Sequence, residues 1–275
     1  MRVAAIQLSS QADVSSNLEA TRGWVARAAA DGAKLVLLPE NFAYFGDETG
    51  KRAIAERITT SADTADGPIV ACLRALAREH RLWLVAGGMP ERSDDEARPY
   101  NTCAVFDPEG SVAARYRKIH LFDVSLGDGA AYRESAATMA GAEAVTFTIP
   151  GERPLVVGLS VCYDIRFPEL YRRLVDQGAE FLVVPAAFTL ATGKDHWLVL
   201  LRARAIESQT FVLAAAQVGR HGERWTFGKS CLVDPWGEVV AQASEGAGVV
   251  VATLDRDYLK AVRRKLPALE HRVLR

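Results

Sequence analysis

The chain has four cysteines in 275 residues, Cys72, Cys103, Cys162 and Cys231, and no two of them form a Cys-x-x-Cys pair. That spacing argues against a zinc ribbon or a thioredoxin-like dithiol. Scattered thiols, with Met1 leading straight into the strand pattern Arg2–Leu8 and no signal peptide, fit a cytoplasmic protein. No apolar run approaches the ~20 residues of a membrane-spanning helix. Charge of neither sign accumulates. Lys and Arg total 33 against 34 Asp and Glu, a formal net charge of −1, and no basic block is dense enough for nucleic acid. The basic C-terminal residues Lys260, Arg263, Arg264, Lys265, Arg272 and Arg275 read as a solvated helix face and tail. Phosphate-loop chemistry is also missing: Thr192-Gly193-Lys194 has the end of such a loop, but Phe188 stands where its first glycine should be. Gly158-Leu159-Ser160-Val161-Cys162 ends in Cys, so it is no serine-hydrolase elbow.

What the chain does have is apolar residues, 49% of the total, and an internal repeat. Asp31-Gly32-Ala33-Lys34-Leu35-Val36-Leu37-Leu38-Pro39 matches Gln177-Gly178-Ala179-Glu180-Phe181-Leu182-Val183-Val184-Pro185. Leu73-Arg74-Ala75 through Leu82–Ala86 matches Leu201-Arg202-Ala203 through Thr210–Ala214. Asp107-Pro108-Glu109-Gly110 matches Asp234-Pro235-Trp236-Gly237. Three blocks in the same order indicate duplication.

Each half reads as strand, helix, strand, helix, strand, turn, strand. The first half has strands Val3–Leu8, Leu35–Leu38, Leu82–Ala86, Thr102–Phe106 and Ser111–Tyr116, with helices near Asn17–Ala30 and Ile69–His80. The second has strands Leu155–Val161, Phe181–Val184, Phe211–Ala216, Ser230–Val233 and Glu238–Ala243, with helices near Pro168–Gln177 and His196–Glu207. Alternating strands and helices predict an α/β fold. Two such halves pressed sheet to sheet predict a four-layer α-β-β-α sandwich with a pseudo-twofold duplication. Residues 1–275 then form one domain, since neither half buries its inner sheet face alone. Lys118–Pro150, between the halves, is too long for an inert connection.

Three positions could carry chemistry. Cys162 ends the apolar run Leu155–Val161, and Pro168 opens the next helix. A thiol at a strand-to-helix junction meets backbone N–H groups that stabilise a thiolate. Glu40 follows the strand Leu35–Leu38 at a carboxyl end of the sheet, where open α/β sheets hold ligands. Its repeat counterpart is Ala186, so the turn itself does not require a carboxylate. Lys118 follows Arg115-Tyr116-Arg117. Taken singly, Cys162 reads first as a buried structural thiol and Lys118 as a surface lysine, and Glu40 reads as well as a solvated loop acid. Together they form a working set. A cation raises the thiolate fraction, a carboxylate shuttles the proton, and an ammonium stabilises an oxyanion. This set requires no metal and no organic cofactor.

Leu37-Leu38-Pro39-Glu40-Asn41-Phe42, Arg117-Lys118-Ile119-His120-Leu121-Phe122-Asp123 and Gly158–Glu169 resemble the three signature blocks of the nitrilase superfamily of carbon–nitrogen hydrolases. The resemblance covers nearly the whole chain. It implies an α-β-β-α sandwich and a Glu-Lys-Cys triad of Glu40, Lys118 and Cys162, with a supporting glutamate at Glu134. Ala187–Gly193 with His196-Trp197, Leu201–Glu207 and Asp234–Gly237 resemble the Nit branch of small amidases. Ala214–His221 is more similar to the deaminated-glutathione amidases than to the ω-amidases. The resemblance further implies that Arg166, assisted by Thr192, holds a substrate carboxylate, with Tyr163 and Phe188 in the same pocket, and that the chain forms a homodimer through Pro168–Gln177 and the basic C-terminal segment. An Arg166–Glu169 ion pair is the alternative for that arginine. His120 and His196 are expected near the pocket, with structural roles as the alternative, and His221 has no assigned role.

The expected activity is a cofactor-free amidase that releases ammonia from a small carboxylated amide through a thioester on Cys162, with water and the amide as its small-molecule partners. The rivals are an ω-amidase acting on 2-oxoglutaramate, a nitrilase, a carbamoylase, or a catalytically idle binding protein.

Overall fold

Alternation within the first strand sets the layers. Along β1 (Arg2–Gln7), Val3 and Ala5 pack with side chains from the second half of the chain, and Ala4 and Ile6 pack with the helices of the first. Successive side chains point to opposite faces, so β1 is buried on both faces, as continuous apolar strands require. The computed structural model describes residues 1–59, 67–125 and 131–274. Residues 126–130 of the connecting segment and Arg275 of the basic tail lie outside them.

After β1 come α1 (Val14–Ala30), β2 (Leu35–Leu37), α2 (Glu48–Ala53), α3 (Pro68–His80), β3 (Trp83–Glu91), β4 (Tyr100–Phe106) and β5 (Val112–Arg117). The hairpin of β6 (Asp123–Ser125) and β7 (Ala131–Arg133) leads to β8 (Thr146–Ile149), β9 (Leu155–Leu159), α4 (Pro168–Asp176) and β10 (Phe181–Ala186). Next, α5 (Leu190–Thr192) runs through a π-helical turn, Gly193–Trp197, into α6 (Leu198–Ser208). The chain ends with β11 (Phe211–Ala216), β12 (Val218–His221), β13 (Arg224–Phe227), β14 (Cys231–Val233), β15 (Val239–Gln242), β16 (Gly248–Thr253) and α7 (Arg256–Lys265). Helix starts follow local chemistry. Asp13 accepts the Ser16 N–H to cap α1, and Pro68 and Pro168 open α3 and α4, where a missing N–H is no loss.

The two main sheets have the orders β16-β1-β2-β3-β4-β5 and β8-β9-β10-β11-β14-β15. In each, an antiparallel edge pair is followed by two parallel and then two antiparallel pairs. Helices α1 and α3 cover one outer face, and α4 and α6 cover the other. The inner faces meet where β1 packs on β11 and β3 on β10. This is the expected α-β-β-α sandwich with its duplication. No helix among the described residues is long and apolar enough to cross a membrane.

Three features differ from the sequence reading. Each sheet has a sixth strand, β8 or β16, that the repeat did not reveal. The edge strand of the first sheet comes from the far end of the chain, with Arg2 opposite Thr253 and Gln7 opposite Gly248. The basic C-terminal face is also only partly solvated. Arg263 is half-buried and donates to the Gln209 and Ala179 carbonyls, and burial pulls its pKa down.

The sheets approach closely at Gly87, beside an irregularity of register in β3. A Cβ there would lie 2.3 Å from the Leu38 carbonyl oxygen and 2.3 Å from Pro185 Cβ. Leu38 follows the neighbouring strand β2 and Pro185 lies on β10 of the opposing sheet, so neither neighbour yields easily. Gly87→Ala is therefore expected to cost about 1–3 kcal/mol, typical of overpacking. The check is a lower urea midpoint at an unchanged slope; an unaltered midpoint would contradict the tight approach.

Candidate active site

Three strand ends bring three side chains together. Glu40 follows β2, Lys118 follows β5, and Cys162 follows β9. Each backbone is fixed locally. The Lys118 N–H donates to the Asn101 carbonyl at 2.9 Å. The Gln217 side chain donates to the Glu40 carbonyl at 3.0 Å. Cys162 has φ +49°, a left-handed conformation unusual for a residue with a side chain, and such strain persists where surroundings enforce it. Asp164 does the enforcing. Its Oδ2 accepts the Val161 N–H (2.8 Å) and the Tyr116 hydroxyl (2.6 Å), and its Oδ1 accepts the His120 N–H (3.1 Å). One fully buried carboxylate thus ties the nucleophile turn to β5 and to the loop after Lys118.

Lys118 is 2% exposed. Its ammonium donates to Glu40 Oε1 at 3.0 Å and to Glu134 Oε1 and Oε2 at 3.1 and 2.9 Å. Burial alone would pull its pKa down, but Glu134 and then Glu40 outweigh that and hold it well above the ordinary lysine value. Burial raises Glu134, but the Lys118 charge and hydrogen bond prevail and leave it below the usual range. Glu134 also accepts the Phe122 N–H at 2.7 Å. Asn101 Nδ2 bridges both acids, at 2.9 Å to Glu40 Oε1 and 3.2 Å to Glu134 Oε1. The second Glu40 oxygen accepts the Ala187 N–H at 3.0 Å.

The thiol behaves differently from the sequence expectation. Burial and the Glu40 charge raise the Cys162 pKa well above the ordinary thiol value, against a smaller lowering by Lys118 and the Ala187 N–H. Burial, and then Glu40, thus favour a neutral thiol beside the carboxylate. Such a pair can transfer its proton as the sulfur attacks.

These groups line a cleft of about 190 Å³ together with Tyr163, Arg166, Phe188 and Thr192. All eight residues singled out in the sequence thus border one space. The Arg166 guanidinium lies 5.1 Å from the Phe188 ring centre and 5.8 Å from that of Tyr163, and its Nη1 is 3.3 Å from His196 Nδ1. These are its partners, and not the expected alternative, Glu169. The Thr192 and Thr189 hydroxyls are 2.8 Å apart. His120 pairs with Asp164 at 2.8 Å and stacks on Phe167, a structural role. His221 is structural as well. It contacts the Ser10 carbonyl at 2.6 Å and the Thr226 hydroxyl at 2.7 Å, stacks on Phe45, and burial lowers its pKa. Among the described residues no group of three or more His, Cys, Asp or Glu is placed to hold a metal ion.

The sequence pattern of the family described as Carbon-nitrogen hydrolase matches residues 2–264. The chain belongs to that family. It is a hydrolase of carbon–nitrogen bonds other than peptide bonds. A protein of Synechocystis named deaminated glutathione amidase is 45% identical over 272 residues, covering 98% of this chain and 97% of that one. The crystal structure of the Caenorhabditis elegans NitFhit protein superposes with a TM-score of 0.88 at 38% identity, covering 99% of this chain and 65% of that one. Saccharomyces cerevisiae Nit3, described as a member of branch 10 of the nitrilase superfamily, gives a TM-score of 0.86 at 30% identity, covering 97% and 94%.

Three site residues of this hydrolase escaped the sequence reading. Asp164 lay inside the Cys162 block but reads as a turn residue. Gln217 follows a run of alanines and looks like a strand-end amide. Asn101 did carry a signal, in the paired glycines Gly87-Gly88 of the neighbouring strand, since glycine in a strand marks a close approach. A Cβ at Gly88 would lie 2.1 Å from Asn101 Oδ1.

The neutral thiol is directly testable. Over about pH 7–9, where an ordinary thiol of pKa about 8.5 ionises, the ultraviolet thiolate band of wild type minus Cys162→Ser should show no step. The other three cysteines do not interfere, since burial raises each of them: Cys231 to about 12, Cys72 and Cys103 likewise upward. A step in that range would mean that Lys118 dominates the thiol.

Proposed function

We propose that the chain is an amidase that cleaves the amide of a 2-oxo acid, deaminated glutathione, through a thioester on Cys162. The observation that carries this reading is the convergence of Cys162, Glu40 and Lys118 in one cleft with Arg166. The relatives' name supports the substrate. Glu40 takes the thiol proton as Cys162 Sγ attacks the amide carbon. The oxyanion is stabilised by the Lys118 ammonium and the N–H of Tyr163, the residue after the nucleophile. Glu40 then gives the proton to the leaving nitrogen, the C–N bond breaks, and the same carboxylate activates the water that hydrolyses the thioester. Glu134 holds Lys118 in position. Arg166, assisted by Thr192 and flanked by Tyr163 and Phe188, takes the carboxylate of the oxo acid. A guanidinium matches a carboxylate bidentately, which lysine does not.

The leaving group separates the candidate substrates. From 2-oxoglutaramate it is ammonia, the product expected from sequence. From deaminated glutathione it is the amine of cysteinylglycine. We further infer a cytoplasmic homodimer; exposed Val199 and Ile206 on α6 give it apolar surface.

Turnover of deaminated glutathione by purified variants tests the assignment. Cys162→Ala should abolish it with the fold intact. Glu40→Gln and Lys118→Met should each cost on the order of 10²-fold or more, and Glu134→Gln less. Near-normal rates for either of the two charge variants would rule the triad out.

Arg166→Met should raise KM for carboxylated amides ~10- to 100-fold, the range for a lost charged hydrogen bond, and should do little for a neutral amide of similar size. Equal losses on both would make Arg166 structural.

A further inference from the structure

The cleft holds more positive charge than a single carboxylate needs. Of the charged side chains among the described residues that line it, five are basic and three acidic. The whole chain has a formal net charge of −1, so an excess of two cations in one cleft is a local feature. Three of these groups, Glu40, Lys118 and Glu134, neutralise one another to a net single negative charge. The outer wall therefore has a net triple positive charge, and Arg166 accounts for only one of the three.

Exposed Arg133 on β7 sets its charge against that of Asp123, and the other two cations, Lys51 on α2 and Arg224 on β13, lie beside Glu48. Lys51 Nζ is 3.1 Å from Glu48 Oε1, and among the described residues this is its only hydrogen bond, leaving two N–H donors. The Arg224 guanidinium lies 4.0 Å from the same oxygen and makes no side-chain hydrogen bond among the described residues. Lys51 is close enough to the tetrad for its charge to contribute to lowering Glu134. Glu48 Oε2 is buried and without a hydrogen-bond partner among the described residues, although buried polar atoms are normally satisfied. Two cations with donors to spare thus lie on the cleft wall beside a single carboxylate.

We propose that Lys51 and Arg224 form a second carboxylate subsite, so that the cleft takes a dianionic substrate whose leaving half ends in –NH–CH₂–COO⁻. The inference rests on the amidase reading above and specifies its leaving-group side. The 2-oxo acid end sits at Arg166. The leaving amine carries its terminal carboxylate to Lys51 and Arg224. Two carboxylates match the two excess cations. A monoanion such as 2-oxoglutaramate leaves one uncompensated.

The test compares kcat/KM for deaminated glutathione with that for the same molecule ending in a glycine carboxamide, with 2-oxoglutaramate as the tail-less reference. For wild type the acid should exceed the carboxamide by ~10- to 100-fold, the effect of one charge-assisted contact. In Lys51→Met/Arg224→Met that ratio should fall to about 1 (no preference left, by the same estimate). The wild-type comparison needs no variant, so it stands even if the double variant folds poorly. A ratio near 1 in wild type, with both amides turned over, would overturn the second subsite and leave the amidase reading intact. A ratio unchanged in the double variant would overturn the assignment to these two residues. No turnover of any of the three amides would overturn the amidase reading, and the subsite with it.

Discussion

An ammonium ion removed from water is costly, by several kcal/mol even after relaxation, and the candidate active site is organised around meeting that cost at Lys118. One carboxylate would neutralise the charge. Two carboxylates do more, because three of their oxygens accept from Nζ and the Asn101 amide ties the two acids together. The same cluster bears on the state of the nucleophile. Burial, and then Glu40, outweigh Lys118 at Cys162 and keep the thiol protonated. The cluster is thus set for proton transfer coupled to attack, with little free thiolate open to oxidation or alkylation.

The sandwich exists, in this light, to bring strand ends from two sheets within hydrogen-bond distance. Glu40 and Lys118 come from the first sheet and Cys162 from the second. The sheets are held in register close to the chemistry. Leu8 and Ala216 share a backbone hydrogen bond, and Gln217 links Ser10 to the Glu40 carbonyl. Duplication supplied the architecture and then diverged. Glu40 follows β2 and its counterpart Ala186 ends β10, and the next residue, Ala187, donates its N–H to Glu40.

Much of this was legible in the sequence because it depends on local pattern. Apolar strand runs, Pro168 at a helix start and the repeated Asp-Pro-x-Gly turns locate most strands and helices without long-range information. The Glu40, Lys118 and Cys162 blocks are likewise continuous in sequence. What remained hidden depends on contacts between distant residues. β16 is a short apolar run whose partner is at the opposite terminus. Asp164 is a polar turn residue whose long-range partners, the Tyr116 hydroxyl and His120, come from another segment. Lys51 and Arg224 belong to separate elements, α2 and β13, neither of which showed a clear period. The balance at the thiol was hidden for the same reason, since it depends first on burial and then on Glu40 beside it.

The central claim is that a neutral, Glu40-paired Cys162 becomes acylated by the oxo-acid half of the substrate. Its most direct test is an acid quench of the enzyme during turnover of deaminated glutathione, followed by mass spectrometry of the digested chain. The expected result is the 2-oxo acyl group on the peptide containing Cys162, absent from Cys162→Ala. The same adduct on Cys72, Cys103 or Cys231 would contradict the account.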